Sequence, residues 1–65
     1  MPRKIRELIA DLERAGFRIE SGKGSHRKFV HPVTRTHVSV SGQLGDDVRR
    51  YQERMVIDAI KESKR

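Results

Sequence analysis

Phe17-Arg18-Ile19-Glu20-Ser21-Gly22-Lys23-Gly24-Ser25-His26-Arg27-Lys28-Phe29-Val30-His31-Pro32 is the stretch that decides the fold. Its first four residues alternate apolar and charged, the period of a strand with one buried face. Ser21 to Ser25 holds two glycines and no apolar side chain, so it reads as a flexible hairpin turn into a second strand, His26 to His31, which Pro32 ends. The connection Val33-Thr34-Arg35 leads to a third strand around Thr36 to Ser41. There Val38 and Val40 share one face, and His37 and Ser39 share the other. Three antiparallel strands in sequence make a meander.

On either side of this stretch the period becomes helical. Ile5, Leu8, Ile9 and Leu12 fall at the i, i+3, i+4, i+7 positions of one helical face, which predicts a helix from about Pro2 to Ala15. Pro2 suits its first turn, and Gly16 supplies a left-handed stop. After Ser41, Gly42-Gln43-Leu44-Gly45 breaks the sheet, and Asp46 or Asp47 offers a carboxylate to cap a second helix running to about Ser63. Its expected inner stripe is Val48, Tyr51, Met55 and Ala59, flanked by Val56 and Ile60, with Ile57 pointing the opposite way. Lys61, Lys64 and Arg65 suit the negative pole of its dipole. The expected fold is α+β in the order αβββα, one domain over residues 1–65. Both helices should cover the sheet face that carries Phe17, Ile19, Phe29, Val38 and Val40, leaving the other face wet.

Composition limits what such a domain can be. A chain of 65 residues holds one core and buries only about 60% of the surface its unfolded form exposes. It has no cysteine, so neither a disulfide nor a thiolate zinc site supplements apolar packing. No apolar run approaches the roughly 20 residues that span a bilayer, and Pro2-Arg3-Lys4 leads into an amphipathic pattern rather than a secretory segment. The expected location is the cytoplasm. Fifteen Lys and Arg against nine Asp and Glu give a net charge of +6, which favours a polyanionic partner, nucleic acid first. The basic residues spread over every segment instead of forming one helix face, which speaks against a membrane-surface role.

If Phe29 points into the core, alternation sends His26, Lys28 and Val30 to the open face, where Arg18, His37 and Ser39 join them. Histidine is the side chain whose unperturbed pKa lies nearest neutrality. Histidines, a hydroxyl and cations on one exposed sheet are the parts that phosphodiester cleavage requires: a proton acceptor, a proton donor and positive charge for the transition state. No metal is needed, and no carboxylate accompanies the three histidines at ligand spacing. Duller readings stand beside these. His26 can fix the hairpin by a backbone hydrogen bond, and His31, before proline, reads as a strand-end residue bonded locally. Gly22 and Gly24 serve the turn, although exposed amides there can also cradle phosphate. Lys23, Arg27 and Lys28 form either a phosphate-binding strip or an ordinary charged surface.

The amphipathic helix ending at Ala15-Gly16-Phe17, then Lys23-Gly24-Ser25-His26-Arg27-Lys28-Phe29, then His31-Pro32 and a Val-Ser-Val strand together resemble the HicA toxins of bacterial and archaeal toxin-antitoxin pairs. The likeness covers residues 5 to 41 well. It implies a fold like that of double-stranded RNA-binding domains and a metal-independent endoribonuclease that cuts mRNA without a cofactor. It also implies inhibition by a HicB-like antitoxin, with His26 as the catalytic histidine. Lys23, Gly24, Ser25, Arg27, Lys28, His37 and Ser39 are then the expected RNA-binding residues. The C-terminal part departs from the family pattern: Ser41-Gly42 and Asp46-Asp47-Val48 stand where a proline and a Gly-Thr-Leu opening are expected. A non-catalytic RNA-binding module of the same fold is the alternative. A DNA-binding regulator fits less well, because Asp46, Asp47, Glu53 and Asp58 scatter negative charge along the last helix.

Overall fold

The computed structural model of the protein describes residues 3–64. Its elements are α1 (Ile5–Arg14), β1 (Arg18–Lys23), β2 (His26–Val30), β3 (His37–Ser41) and α2 (Arg50–Ser63), the expected αβββα order. The strands form one antiparallel sheet in the order β1-β2-β3. The expectations for Pro2 and Arg65 lie outside the described residues.

α1 buries Ile5, Leu8 and Leu12, one face of its amphipathic pattern. It stops as its glycine requires. Gly16 adopts φ +101°, its N–H donates to the Glu13 carbonyl at 3.0 Å, and the Phe17 N–H donates to the Leu12 carbonyl at 2.9 Å. These paired bonds are a Schellman stop, and the accompanying apolar contact is supplied by Leu12 and Phe17, both buried. At the other end Arg3 reaches forward to the Asp11 carboxylate. That hydrogen bond raises the guanidinium pKa above its ordinary value.

The loop after β3 corrects one expectation. Neither Asp46 nor Asp47 caps α2, which begins at Arg50 with Arg49 as an N-cap that makes no side-chain bond. The loop serves α1 instead. The Ile5 and Arg6 amides donate to the carbonyls of Asp46 and Leu44 at 2.9 and 3.1 Å, satisfying two of the helix's free donors. The Asp46 carboxylate accepts from the Gln43 N–H at 2.9 Å, and Asp47 pairs with Lys4. Both acids are therefore committed before the chain reaches α2.

The inner stripe of α2 also differs from the expected one. Gln52, Val56, Ala59 and Ser63 are buried, whereas Tyr51 and Met55 are exposed. A polar anchor sets this rotation: Gln52 Nε2 donates to the Ser41 carbonyl at 2.9 Å and to its hydroxyl at 3.0 Å. Turning the helix to bury Tyr51 would pull Gln52 away and leave those groups unpaired. Ile57 faces outward as expected, and Val48 and Ile60 are partly buried against the core.

The core joins Ile5, Leu8 and Leu12 of α1 and Val56 and Ala59 of α2 to Phe17, Phe29, Val38 and Val40. Both helices thus cover one sheet face. Ile19 is the exception among the residues expected there, at 57% exposure. It pairs with Phe29, but the register then jumps between Ile19 and Ser21, and every residue of β1 is exposed. α2 packs on β3 and α1 beside α2, so the far edge strand lies beyond the helices.

Candidate functional site

The expected loop Ser21–Ser25 contracts to two residues. Ser21 to Lys23 belong to β1, Lys23 pairs with His26, and only Gly24-Ser25 turns the chain. Gly24 has φ +62° at the first central position while Ser25 does not enter the left-handed region, the glycine placement of a type II′ hairpin. The Ser25 carbonyl accepts from the Gly42 N–H at 3.0 Å, which ties the turn to the end of β3. His26 is thereby fixed on the first residue of the central strand.

Phe29 faces the core opposite Val38, so alternation turns His26, Lys28 and Val30 away from the helices. The register arranges the open face in rows: Lys23, His26 and Ser41; then Ser21, Lys28 and Ser39; then Arg18, Val30 and His37. His26 is exposed. Around it lies a shallow depression of about 510 Å³ lined by Ser21, Gly22, Lys23, His26, Arg27, Lys28 and Ser39.

Two expected members differ from the rest, although Arg27 also lines the depression. Arg27 alternates to the helix-bearing side, paired with Val40 and Gly22, and its Nη1 donates to the Gly42 carbonyl at 3.1 Å. Its guanidinium is a brace between β2 and the loop, whereas Lys23 and Lys28 present their cations to the open face beside His26, with Arg18 two rows away. His37 shares that face but lies two rows from His26, about 13 Å along the strands at ~3.3 Å per residue. The two histidines cannot act on one phosphate. Ser39 is one row from His26 and remains within the depression.

Sequence reasoning missed three residues. Glu20 is the extra residue of the β1 bulge, and its Oε1 lies 3.8 Å from Lys28 Nζ, with both side chains about half exposed. A polar-apolar pattern carries no mark of a bulge, so Glu20 and the placement of Ser21 beside Lys28 were not readable. Ser41 opposite His26 was readable in principle: pairing Phe29 with Val38 and counting outward brings the two together.

His31 has another role. Its Nδ1 accepts from the Val33 and Thr34 amides at 3.3 Å each, and its ring meets Phe17 edge-on with centroids 5.3 Å apart. It organises the β2–β3 connection, where Arg35 takes φ +65° and donates its N–H to the His31 carbonyl at 2.8 Å. Among the described residues, no three His, Asp or Glu side chains converge as metal ligands, and no helix is long and apolar enough to cross a membrane.

Around His26 the arrangement offers an exposed imidazole, two flanking ammonium groups, hydroxyls and the amides of a glycine turn, with the second exposed imidazole, His37, two rows away on the same sheet face. A family model described as the HicA toxin of bacterial toxin-antitoxin matches residues 5–63, which takes in both helices and all three strands. No curated protein matches the sequence.

Proposed function

Since the chain belongs to the HicA toxin family and so is the toxin of a toxin-antitoxin pair, we propose that it acts as an endoribonuclease on mRNA, with His26 as its proton-transfer residue. The observation that carries this reading is the exposed His26 on the central strand of the open face, in one row with Lys23 and next to Lys28. A phosphodiester lying in the depression meets a titratable ring and two cations at once. Its 2′-oxygen attacks the adjacent phosphorus while the bond to the 5′-oxygen breaks, leaving a cyclic phosphate and a 5′-hydroxyl. His26 either accepts the 2′-hydroxyl proton or, protonated, gives its proton to the departing 5′-oxygen; solvent serves the other transfer, since His37 is out of reach.

Lys23 and Lys28 supply the positive charge for the phosphorane, and removing one preorganised donor of this kind typically costs on the order of 3 kcal/mol of barrier. Gly24 and Ser25 offer turn amides to a neighbouring phosphate. Arg27 enters only as the brace that holds the loop. Glu20 holds Lys28 loosely at 3.8 Å and must release it when phosphate binds.

The test compares wild type with His26→Ala on an RNA oligonucleotide and on the same sequence lacking the 2′-hydroxyls. Wild type should cut only the RNA, and the variant should lose most of that activity while keeping its fold and its RNA affinity within a few fold. Undiminished cutting by the variant removes His26 from the chemistry. RNA binding without cutting by the wild type makes the domain a binding module.

A further inference from the structure

β3 is an edge strand whose outer side carries main-chain groups without a partner among the described residues. The His31 N–H donates to the Thr36 carbonyl, and the Gly42 N–H donates to the Ser25 carbonyl. These bonds fix which pairs exchange hydrogen bonds across the β2–β3 ladder: Phe29 with Val38 and Arg27 with Val40. The N–H and C=O of His37 and Ser39 therefore point away from β2. The Ser41 carbonyl, next in that outward series, is taken by Gln52 of α2.

The two edges of the sheet are treated differently. β1 is guarded against further pairing by its bulge at Glu20 and by Arg18, Glu20 and Lys23. β3 reads His-Val-Ser-Val-Ser, with an unbroken register and no lysine, arginine, acid or proline. With an unbroken register and no fixed charge, it lacks the devices that keep edges from accepting another strand. Gln52 reaches the outer side of β3, so α2 overhangs this edge. The flank of α2 away from α1 bears Tyr51 and Met55, exposed by 59% and 46%.

We propose that the β3 edge is the docking site for an extended segment of an acidic partner protein, added antiparallel or parallel as a fourth strand. Such a strand lies about 4.8 Å outside β3, with its side chains alternating between the two sheet faces. Those on the helix side meet Tyr51 and Met55 and should be apolar. Those on the open side stand beside His37 and Ser39, at the mouth of the depression that holds Lys28 and His26, and should be carboxylates. Charge selects this occupant over a second copy, because two chains of net charge +6 joined edge to edge would bring like-charged open faces together. Building on the ribonuclease reading, the consequence is inhibition: the added carboxylates hold Lys28 and obstruct the approach of RNA phosphate.

The probe is a blocked octapeptide alternating glutamate and valine, titrated to millimolar concentration against the His26→Ala protein with no RNA present. Amide hydrogen exchange should slow at least tenfold at His37 and Ser39 and stay unchanged in β1. A peptide of the same sequence with every amide N-methylated should not bind. Ser39→Pro, which removes an outward N–H that β2 does not use, should weaken binding at least tenfold while circular dichroism shows the fold retained. Absence of protection at His37 and Ser39, protection in β1 instead, or equal binding of the methylated peptide overturns the proposal. So does a dimer of the free protein that Ser39→Pro converts to monomer, since the occupant is then a second copy. Because the assay contains no RNA, its failure leaves the ribonuclease reading standing. Normal cutting by His26→Ala likewise leaves the edge reading standing.

Discussion

Alanine at Gly16 meets two separate costs, and a double-mutant cycle can divide them. The first is conformational: φ is +101° there, and a left-handed L-residue costs roughly 1–2 kcal/mol, offset by about 0.4–1 kcal/mol from the stiffer unfolded chain. The second is steric. An added Cβ would stand 3.0 Å from His31 Nε2, so the ring must move. That ring is held by its edge contact with Phe17 and by two amides donating to Nδ1 at 3.3 Å. Loosening an aromatic contact of about 0.5–1.5 kcal/mol and two long hydrogen bonds adds roughly 1 kcal/mol. The total is about 2 kcal/mol, or a fall in Tm of roughly 8–16 °C for a domain of this size.

Urea unfolding followed by far-UV circular dichroism measures each corner of the cycle, provided that the slope m stays constant. In a His31→Ala background Gly16→Ala should cost only the conformational part, leaving a coupling of about 1 kcal/mol. Equal costs in both backgrounds, within about 0.5 kcal/mol, would refute the packing of His31 against Gly16. The same variants separate the histidines by function. Folded His31→Ala should cut RNA as wild type does, whereas His26→Ala should not.

Gln52→Leu keeps the volume of the side chain but leaves the Ser41 carbonyl and hydroxyl without their donor; it should destabilise by about 1–3 kcal/mol, read from the urea midpoint. Lys28→Met should reduce the slope of log K against log salt for single-stranded RNA by about 0.7, read by fluorescence anisotropy at several salt concentrations. Arg27→Met should leave that slope unchanged and instead lower stability, because its guanidinium braces the Gly42 carbonyl. Glu20→Gln should tighten RNA binding a few fold by releasing Lys28, and an unchanged affinity would show that the 3.8 Å pair does not compete with phosphate.

The order αβββα, the boundary at Gly16 and the exposed position of His26 were all legible in the chain, because each follows from local rules. An i, i+3, i+4, i+7 stripe makes α1, a glycine ends it, and alternation about Phe29 turns His26 outward. The bulge at Glu20, the rotation of α2 onto Gln52 and the use of the Asp46 carbonyl to cap α1 were not legible. Each depends on a hydrogen-bond partner distant in sequence, and hydrophobic periodicity carries no information about such partners. The basic stretch Arg27-Lys28 shows the division most clearly. Composition determined that two adjacent cations stand beside His26. Only the assembled sheet, whose pleat sends neighbours to opposite faces, decided that Lys28 meets solvent and phosphate while Arg27 meets Gly42.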